Sequence, residues 1–310
     1  MKVAVLQGGP SLERLVSLRS GARVADALAR LGHDPVEIDV GPDLVRLLAD
    51  DRPDAAFVAL HGRGGEDGTV QELLEILEIP FTGPGVASCI NCMDKVLAKH
   101  ALRQAGVATP DWVSFSEAAF EGLGAGDALG AIEARLGMPL VVKPARQGSA
   151  LGVKFASSPA EVPQALVAAF SYDDKVLLEQ HVSGRELAVS VVGDEPLPVV
   201  EAIPQEEDFY DFASRYDPGR TEFRCPAELG GREAEVRDTA VAAYRALGCA
   251  GFARVDIMLP AGEPAQVLEA NAIPGLTEMS LLPRAAEAAG LGFDRFVARA
   301  LELALDPAAR

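Results

Sequence analysis

The residues best suited to chemistry lie within 267–283, which reads Val-Leu-Glu-Ala-Asn-Ala-Ile-Pro-Gly-Leu-Thr-Glu-Met-Ser-Leu-Leu-Pro. Glu269 and Asn271 stand two apart at what reads as the end of a buried strand, so both side chains leave one face. A carboxylate and an amide oxygen in that position suit a hard cation. Pro274 and Gly275 interrupt the strand and expose backbone, and Ser280, Leu281 and Leu282 then open a helix with Pro283 in its first turn. The free N–H groups of such an opening form an anion site.

Just upstream, residues 252–259 predict a strand with Arg254, Asp256 and Met258 on one face and Ala253, Val255 and Ile257 on the other. Two charged side chains on an otherwise apolar strand are costly to bury without partners. Asp256 with Glu269 and Asn271 resembles a Mg2+ site completed by phosphates and water; the alternative is a structural ion network of Arg254, Asp256 and Glu269. In 141–152, Lys143 ends a strand and Gly148-Ser149 follow in a turn whose N–H groups can cradle phosphate. No Gly-Lys-Ser/Thr is present, so this is not a Walker A loop, and an ordinary hairpin fits equally well. Glu179 closes a strand where a backbone hinge could accept an adenine edge, and Glu186 lies near enough in sequence to reach a ribose. Both also read as surface carboxylates. His181, between them, reads as a boundary histidine.

These groups need a frame. Residues 2–7 predict a buried strand, 8–11 a tight turn, 12–31 a helix, 36–40 a second strand, 44–49 a helix and 55–60 a third strand, which ends in the loop 61–68. Thr69 and Glu72 read as a capping box for a helix with Val70, Leu73, Leu74 and Leu77 on one face. This rhythm predicts a parallel, Rossmann-like sheet, with ligands at the carboxyl ends of its strands. Residues 92–105 predict a helix, 139–143 and 151–155 a strand pair, 159–170 a helix and 175–180 a strand. The glycine run in 122–126 follows no strand and lacks the G-x-G-x-x-G spacing, so it reads as a loop. Strands at 186–192 and 197–203, an irregular stretch 204–226, a helix at 232–247, strands at 252–259 and 264–268 and a helix at 293–305 complete the chain. An irregular run of ~20 residues inside a compact unit is usually a lid or binding loop. The expected fold is therefore mixed α/β and α+β, in three parts: 1–90, 91–178 and 179–310.

Composition narrows the function. With 310 residues, 49% hydrophobic and 24% charged, the chain has the make-up of a globular protein of two or three domains. A net charge of -18 argues against nucleic acid or an anionic membrane as partner, but leaves ATP open, because a buried pocket needs only local cations. Only six of the 28 basic residues are lysines, at 2, 95, 99, 143, 154 and 175, so each is a candidate for a specific task even though a solvated Lys is the plain reading for most. The single Cys89-x-x-Cys92 pair, with Cys225 and Cys249 elsewhere, has no second pair or nearby histidines to complete a zinc site, so reduced, partly buried thiols are expected. No apolar signal segment and no run of ~18 apolar residues is present, and a soluble cytoplasmic protein is expected.

Taken in order, several motifs resemble the D-alanine:D-alanine ligases of the ATP-grasp superfamily over nearly the whole chain. They are Gly8 to Ser17, the His61-Gly-Arg-Gly-Gly-Glu-Asp-Gly68 loop, Met93-Asp94-Lys95, Val142-Lys143-Pro144 with Gln147-Gly148-Ser149, Phe209-Tyr210-Asp211 with Tyr216, and Glu269-Ala270-Asn271 with Pro274-Gly275. The resemblance implies a three-domain ATP-grasp architecture with ATP between the second and third domains. Lys95 and Lys143 would contact phosphates, Glu179 and the backbone through Val182 would hold adenine, and Glu186 would bind ribose. Asp256, Glu269 and Asn271 would bridge two Mg2+ ions, or Mn2+, to the phosphates.

The reaction so implied moves the γ-phosphoryl group onto the carboxylate of one D-alanine, and the amine of a second attacks the acylphosphate. Glu13 would bind the first ammonium, with His61 nearby. Arg254 and the N–H of Gly275 would stabilise the oxyanion, and Ser280 with the N–H of Leu281 would take the second carboxylate. Tyr216, in the lid 204–226, would join Glu13 and Ser149 in a clamp. The family also implies a homodimer. Arg215, Ala272, Met279 and the 147–150 turn depart from the usual residues and bear on fine substrate specificity. The alternatives are a ligase for another second substrate, D-serine or D-lactate, and a nucleotide-binding protein without chemistry.

Overall fold

A computed structural model of the chain describes residues 1–204 and 221–306. Tyr216, Arg215 and all of the expected lid except 204 and 221–226 lie outside the described residues.

The first sheet is parallel. β1 (Lys2–Gln7) is central, with β2 (Asp34–Asp39) on one side and β3 (Ala55–Val58) on the other. Helices α1 (Arg14–Arg30), α2 (Leu44–Asp51), α3 (Thr69–Ile76) and α4 (Val86–Met93) accompany it. Val3 to Leu6 and Ala55 to Val58 are fully buried, as covered parallel strands require. The second sheet is antiparallel, in the order β4 (Trp112–Ser116), β7 (Lys175–Gln180), β5 (Leu140–Pro144), β6 (Lys154–Ala156). Helices α5 (Lys95–Gln104), α6 (Glu117–Gly122), α7 (Leu129–Leu136) and α8 (Val162–Phe170) belong to this part of the chain.

The third sheet is also antiparallel, ordered β11 (Thr221–Arg224), β10 (Val200–Pro204), β8 (Arg185–Val192), β12 (Phe252–Leu259), β13 (Gln266–Asn271), with the short β9 (Glu195–Pro196) on β8. Helices α9 (Glu233–Ala246), α10 (Leu281–Ala288) and α11 (Phe293–Leu305) pack around it. No described helix is long and apolar enough to cross a membrane.

Several elements depart from the sequence expectation, and four of them bear on the site. The helix expected over 92–105 is broken at Asp94, whose extended backbone (ψ 101°) ends α4. Its carboxylate then caps α5 by accepting from the N–H groups of Val96 and Leu97 at 2.9 and 3.1 Å, a use of Asp that competes with continuing the helix. Thr69 does not cap α3; it is already helical, Gly68 precedes it with φ 95°, and Asp67 accepts from the Thr69 N–H at 3.1 Å. β13 runs on to Asn271, so Glu269 and Asn271 lie within the strand, where pairing with β12 overrides their polarity. Within the stretch expected to be irregular, Thr221–Arg224 pairs with Val200–Pro204.

An aromatic bridge ties the first sheet to the third. Phe252 of β12 stacks on Phe57 of β3 at 6.4 Å between centroids and meets Phe296 of α11 edge-on at 5.3 Å. All three rings are fully buried. Beside it, a Cβ on Gly251 would meet the Gly83 nitrogen at 3.1 Å, so two bare backbones make the close approach. Phe252→Ala should therefore destabilise the protein by about 3 kcal/mol or more. The check is a lower urea midpoint in unfolding followed by circular dichroism.

Candidate active site

The floor of the site is the ladder between β12 and β13. Register pairs Asp256 with Glu269 and Arg254 with Asn271, with an irregularity between Asp256 and Ile257. The four polar side chains therefore share one face, while Val255 and Ile257 are fully buried on the other. Arg254 donates through Nε and Nη2 to the two Asp256 oxygens at 2.7 and 2.8 Å, a forked pair with both residues under 10% exposed. Glu269 is ion-paired with Lys95 Nζ at 3.1 Å. The structural-network alternative is thus realised between Arg254 and Asp256, and the side chains remain arrayed as a donor set.

That donor set fits a hard cation. Asn271 Oδ1 is buried without a hydrogen-bond partner among the described residues, an orphaned acceptor beside two carboxylates. No group of three His, Cys, Asp or Glu among the described residues could hold an ion unaided. Two carboxylates and an amide would need ligand oxygens and water to complete a Mg2+ shell, which is that ion's usual preference.

Two cavities open onto this floor and share Lys95, Gln147 and Glu269 in their common wall. The larger, of about 380 Å³, is lined by Lys143, Glu179, Val182, Glu186 and Asp256. The smaller, of about 100 Å³, is lined by Glu13, His61, Ser149, Arg254, Asn271, Gly275, Ser280 and Leu281. Every site residue expected from the sequence and lying within the described residues is brought to one of the two; Tyr216 lies outside them.

The larger cavity carries a buried charge cluster. Glu179, 2% exposed, pairs with Lys143 on the neighbouring strand β5 and with Lys99 Nζ at 2.6 Å. Burial works against its charge, but Lys143 and Lys99 outweigh burial and hold the carboxyl below its ordinary value. Burial opposes the Lys143 ammonium too, yet Glu179 holds it above its ordinary pKa. For Lys99 burial wins and the pKa falls. Glu179 therefore lines the expected adenine site while its carboxylate serves two lysines. His181, packed edge-on against Phe155 at 5.7 Å, is pushed down by burial. Asp94, by capping α5, aims Lys95 into the common wall, where Nζ also donates to the Gln147 carbonyl at 2.8 Å.

The smaller cavity is built from the first and third sheets, with one turn from the second. Ser149 Oγ donates to the Glu13 carboxylate, and Ser149 and Ala150 both lie in left-handed backbone, φ 53° and 55°, a sparsely populated region for residues with a Cβ. His61 is 3% exposed, with Nε2 2.9 Å from Ser20 Oγ and Nδ1 3.0 Å from the Ile273 carbonyl. Ser280 is the N-cap of α10 but its hydroxyl does not cap the helix. It turns back to Thr277, accepting from the N–H at 3.1 Å and sharing a bond with Oγ1 at 2.9 Å. Ser280 and Leu281, where α10 opens, line the smaller cavity, and the first N–H groups of a helix have no partner within it. A Cβ on Gly275 would fall 2.7 Å from Ser280 Oγ, so glycine is required where the backbone passes that hydroxyl.

The chain is similar to known proteins over almost its whole length. The family model described as D-ala D-ala ligase C-terminus matches residues 101–302, and that described as D-ala D-ala ligase N-terminus matches 46–84. The D-alanine–D-alanine ligase of Syntrophotalea carbinolica is 44% identical over 301 residues, covering 97% of this chain and 95% of its own. That of Alcanivorax borkumensis is 44% identical over 306 residues, covering 98% and 94%. Among solved structures, a D-alanine–D-alanine ligase from Bacillus anthracis complexed with ATP matches with TM-score 0.83 and 32% identity over 98% of this chain and 97% of that one. The VanG D-Ala:D-Ser ligase of Enterococcus faecalis gives TM-score 0.83 at 28% identity, covering 98% and 99%.

Sequence reasoning assigned no role to Lys99, although the scarcity of lysine pointed toward it. It stands one turn after Lys95 on α5, is 1% exposed, and also donates to Thr109 Oγ1 at 2.7 Å and the Pro110 carbonyl at 3.0 Å. Because Glu179 titrates below its ordinary value, its stabilising contribution is complete above the ordinary carboxylate pKa and is lost as the pH falls through the depressed folded-state value. Lys99→Met removes one of the two cations and lifts that folded-state value. Acid unfolding followed by circular dichroism should then begin at a higher pH than in the parent, and an unmoved acid limb would show that Lys99 does not hold Glu179 charged.

Proposed function

The chain belongs to the D-alanine:D-alanine ligase family, and we infer that its paired cavities carry out ATP-dependent joining of two D-alanines to D-alanyl-D-alanine, for peptidoglycan precursor synthesis. The architecture is that of the ATP-grasp ligases. The observation that carries the reading is the common wall: a phosphoryl group presented from the larger cavity past Lys95 and Glu269 arrives at a carboxylate held in the smaller one.

A carboxylate is a poor acylating agent, and ATP supplies the leaving group. In the larger cavity Glu186 would take the ribose, the backbone through Val182 the adenine edge, and Lys143 would exchange Glu179 for phosphate while Lys99 keeps Glu179 paired. Lys95 is the second phosphate contact. Asp256, Glu269 and Asn271 would hold magnesium, as two ions or with manganese in its place, which would neutralise charge on the phosphates.

In the smaller cavity Glu13 would hold the ammonium of the first D-alanine, with His61 close by. Phosphoryl transfer to its carboxylate gives an acylphosphate, and the second D-alanine attacks with its amine while its carboxylate rests on Ser280 and the N–H of Leu281. Arg254 and the Gly275 N–H would stabilise the tetrahedral oxyanion, each well-placed donor contributing about 3 kcal/mol. Ser149 and Tyr216, joined to Glu13, would close over the substrates and exclude the water that would hydrolyse the acylphosphate. The same reading divides the chain at 1–90, 91–178 and 179–310, and places it in the cytoplasm as a homodimer.

The direct test is phosphate release with D-alanine, D-serine, D-lactate and L-alanine supplied in turn. D-Alanine should support turnover on its own, and absence of D-alanine-dependent turnover would overturn the reading. Glu269→Gln should keep the fold but lower turnover about 100-fold and blunt its dependence on Mg2+. Activity close to the parent's would remove Glu269 from the metal site.

A further inference from the structure

Ser20 is a fully buried hydroxyl on the inner face of α1 to which the reaction above gives no task. It sits between His61 and the turn 273–276. The Ile273 carbonyl can only accept, so His61 Nδ1, 3.0 Å away, carries a proton. In the neutral ring Nε2 is then an acceptor, and Ser20 Oγ donates to it at 2.9 Å while accepting from the Leu276 N–H at 3.1 Å. One turn along α1, Arg23 Nη1 donates to the Leu276 carbonyl at 2.9 Å, its guanidinium 3.8 Å from the centre of the Phe293 ring.

The turn is thus held at Ile273 O by His61 and at Leu276 N and Leu276 O by Ser20 and Arg23 of α1. No backbone hydrogen bond closes within 273–276 among the described residues, where Pro274 has no N–H and Gly275 no side chain. The Gly275 N–H itself makes no backbone hydrogen bond among the described residues. A donor left open in a turn that three outside bonds bracket is a donor aimed from outside.

We propose that Ser20, with His61 as its acceptor, is a positioning residue that sets the direction of the Gly275 N–H for the developing oxyanion. This rests on the reading of Gly275 as an oxyanion donor. An aimed donor acts only as negative charge forms, so its misdirection lowers kcat and the affinity for a mimic of the tetrahedral adduct, and leaves nucleotide binding untouched.

Steady-state kinetics with inhibition by a dipeptide phosphinate, which carries a tetrahedral oxyanion, reads this split. Ser20→Ala should lower kcat and phosphinate affinity together by about 30-fold, with the KM for ATP changed less than about twofold. Ser20→Thr, which restores the hydroxyl, should recover most of both. Arg23→Met removes the outermost tether without emptying the core and should show the same split at about fivefold, so it carries the test if Ser20→Ala does not fold. Arg254→Lys separates the two readings: if it weakens the phosphinate while Ser20→Ala and Arg23→Met do not, the positioning role is wrong and the oxyanion site stands. If none of them alters phosphinate affinity, the oxyanion reading itself falls. Equal losses in ATP and phosphinate binding, with a lowered melting temperature, would make Ser20 a merely structural residue and overturn the proposal.

Discussion

The pairing of β12 with β13 places an arginine, two carboxylates and an amide on one face of a strand pair whose other face is fully buried core. Charged groups so held need partners, because desolvation of an unpaired charge is costly. The surrounding structure meets that demand. Arg254 forks onto Asp256, and Lys95 reaches Glu269 from a helix that the Asp94 cap orients. The register of one ladder therefore decides where α5 must begin and what its first residue must be.

Electrostatics in the larger cavity extend the same constraint. Lys143 and Lys99 converge on the single carboxylate of Glu179, in a cavity that Glu186, Asp256 and Glu269 also line. In the smaller cavity backbone takes a larger share: α10 opens at Ser280, whose hydroxyl turns back to Thr277, and a glycine lets the chain pass that hydroxyl.

Much of this was legible in the sequence. Period-two alternation identified the charged face of 252–259, β1, β7, β12 and α11 have the bounds the pattern predicts, and the Glu269-x-Asn271 spacing pointed to a hard-cation face. What escaped depends on partners distant in the chain. Pattern alone ended the last strand at 268, because only the ladder with β12 makes Glu269 and Asn271 strand residues. Asp94 read as helix interior, since its capping role shows only when the chain turns there. Ser20 and Lys99 carried no local signal of their tasks: a serine on an apolar helix face and a lysine one turn from another acquire meaning from His61, Leu276 and Glu179.

The wall that the two cavities share has a consequence for the order of events. Lys95 and Glu269 face both chambers, so an occupant of either chamber alters the field felt by an occupant of the other. On the function proposed above, nucleotide and amino acid would then be linked ligands, and any effect of one on the other's affinity would be reciprocal by the same factor. The Lys95–Glu269 ion pair would be the contact through which the two chambers sense each other.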